Sequence, residues 1–265
     1  MYSFQYHRPT SLEEAAALYQ QADDGIYLAG GQTLIPTMKQ RLAAPSDVID
    51  LAGVPGLDAV DVADGRVSVG AFVRHARVAA DPRIRAALPV LSALAECIGD
   101  AQVRNCGTLG GSVANSDPAA DYPAAVIGLG ATIHTDQRRI AADDFFRDLF
   151  ETALDPGEII TRIEFPVPRR AAYRKFPHPA SRYAVVGVLV ADFGDRVRVG
   201  ITGAGPCAFR GTALEEALQQ DLSTAAVDAV EVPDAGFNSD LFASADYRAH
   251  LIKVMARRAV EDLLR

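Results

Sequence analysis

The sequence predicts an α+β protein built in two parts, and three observations carry that expectation. Helix-like and strand-like stretches alternate from the start of the chain to Phe165. Pro166-Val167-Pro168 with Arg169-Arg170 then interrupts the pattern, and linkers concentrate proline and charge. Beyond this point a series of strand-like stretches is followed by helix-like ones, the order expected of an α+β domain. The expected division is therefore 1–168 and 169–265.

The elements are read in chain order. Ser11 and Glu14 have capping-box spacing, so a helix is expected from 11 to about 21. Residues 26–28 read as a short strand, 35–42 as helix-like and 48–51 as another strand. The stretches 57–62 and 66–69 alternate around Ala63-Asp64-Gly65, a hairpin turn signal. An apolar stripe makes 82–98 helical, and small residues make 118–129 a helix that Gly130 ends. A second hairpin is expected over 131–135 and 138–140, then a strand over 158–165. Past the prolines, 171–176, 184–192 and 196–202 read as antiparallel strands. Helices over 213–220, from 223, and over 245–264 complete the chain, with 234–240 as an exposed loop.

Composition narrows the function. The 265 residues are 49% hydrophobic and 23% charged, enough apolar material for a core without disulfide or metal staples. The net charge is −8 and no basic tract is present, which argues against nucleic acid and anionic membranes as partners. No apolar run approaches a membrane span, and Met1 to Pro9 has no apolar signal-peptide core. Three scattered cysteines, Cys97, Cys106 and Cys207, suit a reducing cytoplasm and no disulfide framework. They are also too few and too far apart for an iron–sulfur cluster, and the five histidines form no ligand pair, so no resident metal is expected.

Two glycine pairs stand out. Ala29-Gly30-Gly31-Gln32-Thr33-Leu34 follows a short strand, and Gly107-Thr108-Leu109-Gly110-Gly111-Ser112-Val113-Ala114-Asn115 precedes an apolar helix. Adjacent glycines permit positive φ and close backbone approach, and successive amides in such turns make an anion nest. Thr33, Thr108 and Ser112 add hydroxyls. Each loop also has a purely structural reading as a glycine turn; together they suggest one shared dinucleotide. Neither is an ATP-type P-loop. Gly203-Ala204-Gly205-Pro206-Cys207-Ala208 mimics a Rossmann fingerprint, with Asp221 as its acid. Pro206 removes a nest amide, and no βαβ unit follows. Of 26 basic residues only Lys39, Lys175 and Lys253 are lysines, so Lys175 in a strand draws notice, although chance explains it equally well.

These residues resemble a known family, the FAD-binding medium subunits of molybdenum hydroxylases, the carbon monoxide dehydrogenase and xanthine dehydrogenase group. The likeness runs end to end. It includes Phe4-x-Tyr6-His7-Arg8-Pro9, Ala29 to Pro36, the specific stretch Gln102 to Asn115, Asp117 to Asp121, Gly157-Glu158-Ile159-Ile160, Lys175-Phe176 and Arg182 to Val186. Asp246-Tyr247-Arg248 with Arg257-Arg258-Ala259 resembles the closing helix.

The resemblance implies a two-lobed FAD-binding domain of the vanillyl-alcohol-oxidase type, with lobes of about 1–53 and 54–168, followed by a small α+β domain. By position, Ala29, Gly30, Gly31, Gln32, Thr33 and Leu34 would hold the pyrophosphate with Thr108, Gly110, Gly111 and Ser112, and Asn115 closes that stretch. Asp121 would bind on the adenosine side, Ile98 would touch the flavin, and Ile160 would pack on the cofactor. Lys175 would sit near the isoalloxazine, and Tyr183 would cover or gate it. Gln32 stands where covalent flavoproteins of this fold carry His, which favours noncovalent FAD. Cys106 departs from the family's basic or polar residue. The implied function is an electron-transfer subunit of a heterotrimeric complex. Electrons would come from partner [2Fe–2S] clusters, with molybdenum cofactor on a further subunit, and leave to NAD+, oxygen or a quinone. Two alternatives stand beside it: a self-contained flavin oxidoreductase using Tyr183 or Glu158 as acid or base, and a non-enzymatic ligand-binding domain.

Overall fold

The computed structural model describes residues 1–265. The first three strands, β1 (Gln5–His7), β2 (Gly25–Leu28) and β3 (Asp47–Asp50), form a small parallel sheet in the order β1-β3-β2. Helix α1 (Leu12–Gln21) is capped as expected: the Glu14 amide donates to Ser11 Oγ at 3.2 Å. The Glu14 carboxylate reaches past the cap instead, to the amide and hydroxyl of Thr10 (2.7 and 2.9 Å). Helix α2 (Leu34–Lys39) follows the first glycine loop.

The middle of the chain builds a five-stranded antiparallel sheet with a helical cover. Strands β4 (Val60–Ala63) and β5 (Arg66–Gly70) make the expected hairpin. Then come α3 (His75–Ala80), α4 (Pro82–Ala87), α5 (Pro89–Glu96), α6 (Ala101–Cys106), α7 (Leu109–Asn115) and α8 (Tyr122–Leu129). The single helix expected over 82–98 is two. Pro89 has no amide to donate and drives Leu88 out of helical geometry (φ −143°, ψ 67°), which breaks the run. The second glycine stretch is itself helical from Leu109, and α8 starts at Tyr122 rather than at Pro118. Strands β6 (Thr132–Thr135), β7 (Arg139–Ala141), the small β8 (Phe146–Asp148) and β9 (Glu151–Thr152) hairpin, and β10 (Ile160–Pro166) follow. The main sheet has the order β4-β5-β10-β6-β7.

The remaining sheet is β11 (Arg170–Pro177), β12 (Ala184–Asp192), β13 (Val197–Thr202) and β14 (Phe209–Arg210), antiparallel in that order. The Rossmann-like stretch Gly203 to Ala208 is the turn between antiparallel β13 and β14, so no βαβ unit exists there. Helices α9 (Thr212–Gln220), α10 (Thr224–Ala229) and α11 (Ala245–Leu263) close the chain. No helix is long and apolar enough to cross a membrane.

Every residue of β12 is buried. Strand alternation sends Val186, Val188 and Val190 toward α11, where they join Leu251, Ile252 and Met255. Leu189 and Ala191 point the other way, into the core that holds Val126, Leu129 and Ile163. Helix α8 fills the space between, apolar all round and buried all round. Its backbone touches β13: a Cβ on Gly200 would lie 2.1 Å from the Ala124 carbonyl oxygen. The core therefore runs continuously across the proline linker.

Candidate cofactor site

A cavity of about 840 Å³ opens where the parallel lobe, the middle region and the C-terminal sheet meet. That is near the upper end of the range for small-molecule sites. All of the candidates named from the sequence line it except Lys175.

The two glycine loops lie against each other. A Cβ on Gly30 would sit 2.3 Å from the Cys106 carbonyl oxygen and 2.7 Å from Gly107 Cα. Gly110 presses on Ala71 in the same way, at 2.5 Å. These glycines are thus structural first, because backbone must meet backbone for the cavity to have two walls. Gly31 is needed for its conformation, with φ +68°.

The free donors are unevenly divided between the loops. The first-turn amides of α7 are already used. Leu109 N donates to Val73 O, Gly110 N to Ala71 O, Gly111 N to Thr108 Oγ1 and Ser112 N to Thr108 O. The anion nest expected at the second loop is therefore closed, since the helix begins inside that loop and caps itself. In the first loop, by contrast, none of the amides of residues 29–34 donates to a protein acceptor. The side chains of Gln32, Thr33, Ser112 and Asn115 are also without protein partners. Arg182 is the one arginine or lysine in the lining. An anionic ligand here must be held mainly by backbone amides and neutral donors.

Asp121, at the N-terminal end of α8, is 4% exposed. Its carboxylate accepts from Tyr173 OH at 2.7 Å and from Lys175 Nζ at 2.9 and 3.0 Å. Burial pushes the Asp121 carboxyl up, and Lys175 and Tyr173 oppose it. Lys175 does not face the cavity. Its ammonium spends its remaining protons on the carbonyls of Cys97 (2.8 Å) and Arg182 (2.9 Å). Lys175 is thus a buried strut. It ties the segment before Ile98, the head of α8 and the loop of Tyr183 to one point.

The turn before β10, which includes Gly157-Glu158-Ile159-Ile160, also lines the cavity. Tyr27 OH donates to Gly157 O at 3.1 Å, joining the parallel lobe to the turn before β10. Glu158 organises that turn, accepting from Thr135 Oγ1, Arg138 and the Asp155 amide. Burial alone would raise the Glu158 carboxyl, but these donors outweigh it and hold it at about 2. A carboxylate so committed is a poor proton acceptor, so Glu158 is not an acid–base group. His75 is a further lining residue, with Nδ1 buried and unpartnered, beside Tyr122. Burial, aided by Arg104, pushes its imidazole down to about 4, so it is neutral at pH 7. No local pattern marks a lone histidine of this kind.

Pro118 to Ala120, on the far wall, is stitched to the C-terminal sheet. Thr202 Oγ1 shares its proton between the carbonyls of Pro118 and Ala120 (2.9 and 2.7 Å). Gly203 N donates to Pro118 O and Ala184 N to Ala119 O. Tyr183, 45% exposed, stands at the mouth.

The family described as the FAD binding domain in molybdopterin dehydrogenase matches residues 2–168. The nicotine 6-hydroxylase medium subunit of Paenarthrobacter nicotinovorans is 34% identical over 274 residues, 98% of this chain and 97% of that one. The carbon monoxide dehydrogenase medium chain of Afipia carboxidovorans is 35% identical over 282 residues, 98% of this chain and 96% of that one. A crystal structure of a Cu,Mo-CO dehydrogenase in its cyanide-inactivated form superposes with a TM-score of 0.91 at 33% identity, covering 99% of this chain and 98% of that one.

Proposed function

The chain belongs to the FAD-binding medium subunits of molybdenum hydroxylases, and from that premise we propose that it is the electron-transfer subunit of such a complex. It is an oxidoreductase subunit and its cofactor is FAD. In this reading a partner with molybdenum cofactor oxidises the substrate, and a second partner with [2Fe–2S] clusters delivers the electrons. This chain passes them to NAD+, oxygen or a quinone. A bound flavin supplies the exchange between one-electron and two-electron redox partners.

The observation that carries the reading is the run of unpaired amides at 29–34, facing a cavity with a single cation in its lining. A pyrophosphate needs many donors placed close together, and this loop offers them without protein competitors. In our assignment these amides, with the side chains of Thr33, Ser112 and Asn115, hold the phosphates. Ile98 and Ile160 pack against the cofactor, and Tyr183 covers the ring. Lys175 and Asp121 act on it only by fixing the walls. Gln32 offers no nucleophile for attachment, so FAD is held noncovalently. The three unpaired cysteines fit a reducing cytoplasm as the setting.

The test is a visible spectrum of the purified full chain before and after incubation with FAD and desalting. A retained flavin spectrum, with FAD released on denaturation, is the expected result. A protein that stays colourless both alone and co-expressed with its neighbouring subunits would overturn the assignment.

A further inference from the structure

The loop that presents Tyr183 is folded around a histidine. It leaves β11 at Pro177 and enters β12 at Ala184. His178 N donates to Tyr183 O at 2.7 Å, and Arg182 N donates to His178 O at 2.9 Å, closing the base of the loop. The imidazole bends back over this turn. Its Nδ1 lies 3.2 Å from both the Ala180 and the Ser181 amide nitrogens. Both amides are donors, so Nδ1 presents its lone pair and the ring proton sits on Nε2. Nε2 is buried with no protein partner, and the ring meets Phe242 at right angles with centroids 4.3 Å apart. Arg182, beside Tyr183, is held in the left-handed region (φ +62°), a conformation a non-glycine residue keeps only when its surroundings impose it.

We infer that His178 is a positioning residue whose neutral ring holds residues 181–183 at the cavity mouth, and that protonation of the ring releases them. A proton taken from solvent onto Nδ1 sets N–H against two N–H groups, so the charged ring and the folded loop exclude each other. No carboxylate forms a hydrogen bond or ion pair with the His178 ring; Asp240 holds the Phe242 amide and Asp117 the Ala119 amide. Lys175 is paired with Asp121, Arg248 with Asp240 beside Phe242, and Arg182 is itself a cation. His250, on α11, stacks on Tyr247. The loop chemistry stands alone; its consequence for a flavin rests on the function proposed above. There, Tyr183 would cover the ring at neutral pH and leave it as pH falls.

The test is amide hydrogen exchange on the full chain at pH 8 and pH 5, as protection relative to intrinsic rates, for wild type, His178→Asn and His178→Ala. Asparagine carries an acceptor oxygen where Nδ1 stands and cannot be protonated. Two hydrogen bonds of ordinary net strength correspond to about a tenfold change in protection. Wild type is expected to lose about tenfold at 180–183 between pH 8 and 5, with β12 amides unchanged. His178→Asn should keep protection at both pH values, and His178→Ala should lack it at both. Equal wild-type protection at the two pH values, or a His178→Asn loop that follows the wild-type pH dependence, would refute the latch. Should His178→Ala not fold, the other two proteins still decide. Failure of FAD to bind would overturn the flavin reading and leave this exchange pattern intact.

Discussion

Replacing Lys175 with methionine separates two roles that the residue could hold. A lysine facing the cofactor would, on removal, weaken FAD binding and leave the fold untouched. The structure assigns it the opposite balance. Asp121 is almost fully buried, and Lys175 is the only cation on it. Removing one partner of such a pair costs about 3–5 kcal/mol, because the other charge stays buried without compensation. The lost bonds to the Cys97 and Arg182 carbonyls add little, since water reaches those positions. For a chain of this size about 2–4 °C accompanies each kcal/mol, so the melting midpoint should fall by about 6–20 °C. The assay is urea and thermal unfolding of the full chain, without and with FAD, for Lys175→Met, Asp121→Asn and the double variant. The double variant removes both charges and should recover a large part of the loss. A single-variant loss below about 1 kcal/mol, or strictly additive effects in the double variant, would refute the strut and restore Lys175 as a direct cofactor contact.

Two further outcomes are expected. Gly30→Ala drives a methyl group into the Cys106 carbonyl, where backbone cannot yield cheaply. It should cost about 1–3 kcal/mol and abolish FAD retention on desalting; retention at the wild-type level would show that the loops need not touch. Acid sensitivity should have two arms. His75 is held near 4 when folded against about 6.5 when unfolded, so its contribution is complete above pH 6.5 and fades as pH falls toward 4. Glu158, held near 2, contributes fully above its unfolded value of about 4.3 and fades below it. Unfolding free energies from pH 8 to 3 should therefore lose their upper arm in His75→Gln and keep the lower. An unchanged slope between pH 6.5 and 4 would exclude the burial argument for His75.

Much of this was legible beforehand because it is written in local signals. The cap at Ser11, the hairpin around Asp64-Gly65 and the stop at Gly130 follow from single-turn chemistry, and each appears where expected. The Leu88-Pro89 break was equally local and was overridden by an apolar stripe that continues across it. The glycine loops announced a site, but not which of them holds free donors. That depends on Val73 and Ala71, distant in sequence, occupying the amides of α7. The Lys175–Asp121 pair was hidden for the same reason: a residue's position in a motif says nothing about the carboxylate that folding brings to it. His75 and Glu158 gain their roles only from burial and remote partners, which no spacing records.

Helix α8 also bears on how such a chain could be recombined. The proline linker invites a cut after Pro168, yet the helix would then expose to water the face that β13 now covers. The severed piece would carry an adhesive apolar strip. Chimeras meet the same obstacle: a C-terminal sheet borrowed from a relative must bring, in place of Gly200, a residue that still lets the Ala124 carbonyl approach. Exchange of parts in this lineage should therefore follow matched pairs of small residues across that seam, with the linker prolines marking a joint in the chain and not in the solid.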